Sequence, residues 1–363
     1  MAKADPDLDP VWGLLIGAAP AQDNSDTGFA QTFQLENETC ASRHGRDNEA
    51  PDAEDEAALP DQDWPKEATN SSKPISNVVD KAEVSAQIFQ LPEDSDLSPT
   101  RWDIQGCDAF VLDGVLSDAE CSALRSRAEG LWTFWEDDPE RPRISFRNAH
   151  TVEVTHQALA DRIWRRVASH VQPKVELCSD DPRFEVDIEG TWSPYAMNPK
   201  LLLSRYLDGG HFSPHTDGTT VVDFNRRTFY SCVLFLNASP WGGHTRLYAD
   251  EQMSKELRGD EAGRLTGDSD LILAEVAPEP GRMLVFYHRL MHEGVPAAEK
   301  YIIRTDVLYR REPEICTAPE DVEAFQMYQE AQLLAEKGDC AAAAGLFRGA
   351  FRRSAALKAV YRM

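Results

Sequence analysis

The segment His211-Phe212-Ser213-Pro214-His215-Thr216-Asp217-Gly218 sets an imidazole and a carboxylate two residues apart. On an extended backbone, residues i and i+2 point to one face, so His215 and Asp217 can share a metal ion. A third donor, His292, follows in Tyr287-His288-Arg289-Leu290-Met291-His292-Glu293-Gly294. Two imidazoles and one carboxylate on one face of non-haem Fe(II) leave open positions, which a 2-oxoacid and O2 can fill. The H-x-D pair alone is a common occurrence; its weight comes from the elements that follow it in order. Three other histidines read as structural. His211 stands four residues before His215, which suits zinc on a helix, but Gly209-Gly210 and Pro214 oppose a helix there. His288 is four residues from His292, too far along a strand to share one ion, and His244 lies in a glycine turn. A zinc hydrolase would need an H-E-x-x-H helix or a nearby glutamate base, and the sequence offers neither.

A 2-oxoacid with a second carboxylate also needs a cation deep in the pocket, because a buried carboxylate is costly without one. Lys300 and Arg304 share one face of the run 300–309 by parity, and Asp306 shares it with them. Either base can serve. Arg304, with its planar fork, is slightly favoured.

These residues require strands to hold them. Leu201–Tyr206, Phe229–Asn237, Leu271–Val276, Arg282–Tyr287 and Tyr301–Tyr309 are apolar or alternating runs, separated by Gly, Pro, Asn and Asp clusters. Ahead of them, Asp108–Leu116 reads as a strand entering a turn. Ser117 and Glu120 form a capping box for a helix running to about Gly130. A second helix is expected over Thr155–Val171. The expected class is α+β: a flanking helix layer on a double-stranded β-helix, or jelly roll. The domain spans 98–314, with its strand core at 198–312. Glu251–Asp270 is polar and charged and reads as a loop, either a lid or a tolerated insertion. Residues 317–363 have helical spacing and resemble a single tetratricopeptide-type hairpin. That hairpin would either pack on the barrel or bind a protein partner.

The net charge is −25, and the first hundred residues hold 21 acidic against 6 basic side chains. Residues 1–97 therefore read as a disordered acidic tail, with Val78–Leu91 as a short helix or strand within it. Such acidity argues against nucleic acid or an anionic membrane as partner, since both demand a basic surface. The seven cysteines are scattered singly, as in a reducing compartment. The start of the chain lacks a basic n-region, and no run approaches the roughly 18 apolar residues of a spanning helix. An intracellular protein, cytoplasmic or nuclear, is expected.

Six blocks in order carry a resemblance: F-V-L-D-G-V-L-S-D-A-E-C at 110–121, S-R-Y-L-D-G-G-H-F-S-P-H-T-D-G at 204–218, V-L-F-L-N at 233–237, W-G-G-H-T at 241–245, H-E-G-V-P at 292–296 and K-Y-I-I-R-T-D-V-L-Y at 300–309. Over residues 101–311 the chain resembles the prolyl 4-hydroxylase-like branch of the Fe(II)/2-oxoglutarate-dependent dioxygenases. The resemblance implies His215, Asp217 and His292 as iron ligands, and Tyr206 as a hydrogen-bond donor to the cosubstrate's distal carboxylate. It places a basic residue after the distal histidine on that carboxylate. Matching by K-Y selects Lys300, and matching by distance selects Arg304. It also implies hydroxylation of a protein or small-molecule substrate, such as a peptidyl proline, with 2-oxoglutarate and O2 consumed, succinate and CO2 released, and ascorbate as a candidate reductant. The alternative is a degenerate oxygenase domain acting as a binding or scaffold protein.

Overall fold

The structure is a computed structural model that describes residues 92–94, 96–135 and 143–363. Most of the acidic tail, including the element expected at Val78–Leu91, lies outside the described residues. Strands of four or more residues are numbered β1 (Thr100–Asp103), β2 (Ala109–Asp113), β3 (His150–Thr155), β4 (Gly190–Met197), β5 (Lys200–His215), β6 (Arg226–Phe235), β7 (Thr245–Tyr248), β8 (Ile272–Val276), β9 (Met283–Tyr287) and β10 (His292–Glu312). The helices are α1 (Asp118–Ala128), α2 (Gln157–Val167), α3 (Pro319–Glu336), α4 (Cys340–Arg353) and α5 (Ala355–Val360).

The strands run β1-β2-β9-β6-β10-β5-β3 across one face, every pair antiparallel. A second face is built from β8, β7 and the first residues of β10, whose His292 and Gly294 pair with Leu247 and Thr245. Two long strands therefore serve both faces. β5 turns at Asp208-Gly209, both at positive φ, and β10 shifts register three times between His292 and Glu299. Such bulges bend a strand and let it pass from one sheet to the other. The result is a jelly roll. Its floor closes at the expected W-G-G turn. There Gly242 has φ 62°, and a Cβ on it would lie 2.0 Å from the Pro296 carbonyl oxygen, so only glycine fits.

Helices α1 and α2 cover the outer face of the first sheet through Leu124, Leu159 and Ile163, all fully buried. The capping box is present: the Glu120 amide donates to Ser117 Oγ (3.2 Å), and the Ser117 amide donates to Glu120 Oε2 (2.9 Å). Glu120 also receives Arg166 and Arg162 from α2, at 2.9 and 2.8 Å, which ties the two helices together.

The expected helix over Thr155–Val171 is shorter, because β3 runs to Thr155 and His156 caps the helix by accepting from the Leu159 amide (2.8 Å). The strand expected over Leu201–Tyr206 is the first part of a sixteen-residue strand, and that over Tyr301–Tyr309 lies inside a strand of 21 residues. Residues 250–271 hold two short 3-10 turns and the two-stranded pair Arg258–Gly259 with Leu265–Thr266. The C-terminal helices pack on the barrel. Phe325 of α3 meets Phe224 edge-on at 5.0 Å, within a buried group that includes Cys316, Leu357 and Tyr361.

Candidate metal and cosubstrate site

Each expected iron ligand is held by a different local device. His215 is the last residue of β5, and His292 the first of β10; the two pair directly across the ladder. His215 Nδ1 contacts the Ser213 carbonyl at 2.7 Å and His292 Nδ1 the Leu290 carbonyl at 3.0 Å. A carbonyl only accepts, so each Nδ1 carries the proton and each Nε2 lone pair faces inward, as metal-bound histidines require. Burial holds both imidazoles below their usual pKa, so both are neutral donors.

Asp217 does not lie on a strand, as the i, i+2 reasoning assumed; β5 ends at His215. Its position is fixed instead by its amide donating to the His288 carbonyl (2.8 Å). Burial opposes ionisation of Asp217, but the Arg304 guanidinium beside it holds the carboxyl well below the usual range. Its oxygens lie 3.9 Å from His215 Nε2 and 3.8 Å from His292 Nε2, and one ligand atom from each residue falls within 4.8 Å of the others. Asp217 Oδ2 is buried with no hydrogen-bond donor; Arg304 Nε stands 3.5 Å away. An orphaned carboxylate oxygen facing two inward imidazole lone pairs fits a bound cation, because an unpartnered buried oxygen is otherwise costly.

These residues open into a cavity of about 170 Å³, bounded by Tyr206, Phe212, Lys300 and Arg304 among others. The two candidate bases sit in different surroundings. Arg304 is occupied: it lies against Asp217 and grips Asp306 at 3.1 and 3.2 Å. Lys300, 2% exposed, forms no salt bridge among the described residues, and its Nζ lies 4.7 Å from the Tyr206 ring centroid. Lys300 and Tyr206 are directly opposed in the ladder. Burial pushes Lys300 down to about 7, against an opposing pull from Glu293.

His288, His211 and His244 stay outside the cavity lining. His288 Nε2 meets Thr219 Oγ1 at 2.9 Å, and His211 Nε2 meets the Ser145 carbonyl at 3.1 Å. His288 thus braces the Asp217 loop from both ends, a role the spacing did not reveal. Arg147 and Phe212 also escaped the sequence reading. Phe212 stacks on the His215 ring at 3.5 Å, and Arg147 lies 4.4 Å from the Phe212 centroid.

Residues 201–305 match the family model described as the 2OG-Fe(II) oxygenase superfamily, and all three candidate ligands fall inside that stretch. That family uses Fe(II), 2-oxoglutarate and O2, and among the described residues His215, Asp217 and His292 form a group that could hold a metal ion. No curated protein matches the sequence. Among solved structures, this chain is similar to the viral collagen prolyl hydroxylase of Paramecium Bursaria Chlorella virus-1, with 16% identity, 58% of this chain and 99% of that one covered, and TM-score 0.33. It is similar to a Pseudomonas putida prolyl-4-hydroxylase, with 16% identity, 63% and 98% covered, and TM-score 0.35. A Trichoplax adhaerens prolyl hydroxylase, solved with a hypoxia inducible factor peptide fragment, gives 15% identity, 58% and 86% covered, and TM-score 0.35.

The C-terminal helices bear on this site. Thr216–Val221 line the cavity, and Val221 also packs against the helix cluster. Four residues on, Asn225 donates to the Ile315 carbonyl (2.8 Å) and accepts from the Ile315 amide (3.0 Å). The segment bearing Asp217 is thus clamped at its far end by the C-terminal region. Phe325→Ala is expected to lower stability by about 3 kcal/mol, as for a buried aromatic, and to raise proteolytic cleavage within 216–226. Limited proteolysis beside a thermal melt checks this; a lowered Tm with unchanged cleavage there would limit the helices to bulk packing.

No helix among the described residues is long and apolar enough to cross a membrane. The six described cysteines are all free.

Proposed function

We propose that this chain hydroxylates a C–H bond of its substrate in the manner of the prolyl 4-hydroxylase-like branch, with a peptidyl or free proline as the first candidate. His215, Asp217 and His292 hold Fe(II), and Lys300 with Tyr206 receives the distal carboxylate of 2-oxoglutarate. The observation that carries this reading is the pairing, in one cavity, of an inward-facing His–Asp–His set with a buried lysine that forms no salt bridge among the described residues. When bound, iron with 2-oxoglutarate and O2 supplies oxidative decarboxylation to succinate and CO2 and delivers an oxygen atom to the substrate.

The protein's own share is positional. Ser213 and Leu290 carbonyls fix the imidazole tautomers, Arg304 keeps Asp217 ionised, and the apolar walls Phe212, Val233 and Ile302 limit water in the cavity. Lys300 supplies the charge that a buried carboxylate needs. The assignment of Lys300 over Arg304 rests on occupancy: Arg304 already serves two carboxylates.

The experiment is Fe(II)-dependent succinate release from 2-oxoglutarate, with ascorbate as reductant and proline-containing peptides or free proline as substrate. Succinate formed without added substrate at the slow rate of uncoupled turnover already supports the reading; none with any substrate and a loaded iron site opposes it. A pH effect follows as well. Lys300 is charged below about 7 in the unliganded pocket, and a bound carboxylate raises its pKa. Above pH 7, binding must therefore take up a proton, and 2-oxoglutarate affinity is expected to fall by up to ~10-fold per pH unit. Below pH 7 it levels off. Titrating affinity from pH 6 to 9 checks this, and a flat profile assigns the carboxylate elsewhere.

A further inference from the structure

The protein is strongly acidic, yet its cavity is basic. Four basic side chains line it, Arg147, Lys200, Lys300 and Arg304, against one carboxylate, Asp217. Two of the four are accounted for. Arg304 faces Asp217 and Asp306, and Lys300 awaits the cosubstrate's distal carboxylate. Lys200 is half-buried and has partners of its own. Arg147 is different. It is 4% exposed and pairs with no carboxylate among the described residues. Its Nε has no hydrogen-bond partner, and Nη2 reaches only Ser204 Oγ, at 3.4 Å. Its guanidinium lies between the rings of Phe212, 4.4 Å away, and Trp135, 5.4 Å away.

Ring faces alone compensate a buried guanidinium poorly, because a cation–π contact contributes about 0.5–2 kcal/mol whereas an unpaired buried ion costs several. The charge balance points the same way. Iron with 2-oxoglutarate is neutral. Arg304 faces Asp217 and Asp306 and Lys300 feels Glu293, whereas Arg147 pairs with no carboxylate among the described residues. One further anion would balance it. Arg147 lies over the Phe212 ring, which in turn stacks on His215, so a group bound there sits on the wall of the same cavity as the metal set.

We propose that Arg147 is the anchor of a substrate subsite, and that the molecule hydroxylated in this cavity carries a carboxylate. The guanidinium fork grips that carboxylate while the neighbouring C–H bond faces the metal. This rests on the reading of the cavity as an iron and 2-oxoglutarate site.

The test uses the full chain loaded anaerobically with Fe(II) and saturating 2-oxoglutarate. Free L-proline, L-aspartate, acetate and a prolyl-aspartyl peptide are titrated beside the corresponding amides by calorimetry, on wild type, Arg147→Gln and Arg147→Lys. The expected result is that at least one carboxylate binds ~10-fold tighter than its amide. Arg147→Gln should abolish that preference and Arg147→Lys should keep part of it, with 2-oxoglutarate affinity changed less than ~3-fold in both. A preference for the peptide over the free acids identifies an acidic side chain as the ligand; the reverse identifies a small acid. Two results overturn the proposal: no carboxylate outbinding its amide on wild type, or a loss of ~10-fold or more in 2-oxoglutarate affinity on Arg147→Gln, which would place the guanidinium on the cosubstrate. Failure of wild type to bind 2-oxoglutarate at all is a separate outcome and opposes the proposed function itself.

Discussion

Asp217→Ala is expected to weaken Fe(II) binding by at least ~100-fold and to reduce succinate release to background. Loss of a residue that only orients a ligand costs 10- to 100-fold in metal affinity, and loss of a ligand itself costs more. Among the described residues Asp217 is the only carboxylate lining the cavity, so its removal takes away the one anionic donor found there. It also turns Arg304, now facing the cavity without Asp217, into a charge that repels the metal. Both effects act in the same direction. Stability should change little, because Asp217 Oδ2 accepts no hydrogen bond and the amide that pins the loop to the His288 carbonyl remains. Competition with a chelator, beside a thermal melt, checks both halves. Iron affinity within threefold of wild type would remove Asp217 from the metal site.

The second large effect concerns Lys300. Lys300→Met keeps the length and apolar stem of the side chain and removes its charge. A carboxylate then has to enter the cavity without its cation, a loss of about 2–5 kcal/mol for a buried charged partner, or ~30- to ~4,000-fold in 2-oxoglutarate affinity. The unliganded protein should melt at the same temperature or higher, because a buried lysine without a counter-ion is replaced by a residue that suits the interior. A purely structural lysine would give the opposite pattern, a lower Tm with affinity intact. Arg304→Met separates the two bases. It leaves Asp306 buried without its partner, lowers stability, and weakens iron binding through Asp217 rather than 2-oxoglutarate binding through its distal carboxylate.

The proposed metal set could be picked from the sequence because each member belongs to a short motif, H-x-D before one strand run and H-E-G before another. What the motif concealed was how Asp217 is held. Extended parity put it on a strand, whereas a tertiary hydrogen bond to His288 fixes it past the strand's end. The choice between Lys300 and Arg304 was illegible for a definite reason. Three register shifts between His292 and Glu299 break both residue counting and parity, so distance along the chain no longer measures depth in the barrel. The capping box at Ser117 and Glu120 was readable because it is local. The packing of α3–α5 against Phe224 was not, since nothing in the hairpin's own spacing states what it touches. Arg147 was invisible for the same reason: its significance lies in a missing partner, which only the fold reveals.

The most direct measurement is an anaerobic titration of the full chain with Fe(II) and 2-oxoglutarate, followed by the weak visible charge-transfer absorption of the chelated iron, on wild type and His215→Ala. The predicted result is a saturable band in wild type that is absent in a folded His215→Ala. Folded wild-type protein that binds iron but shows no band, or a band that survives in His215→Ala, would contradict the assignment of this cavity as an iron and 2-oxoglutarate site.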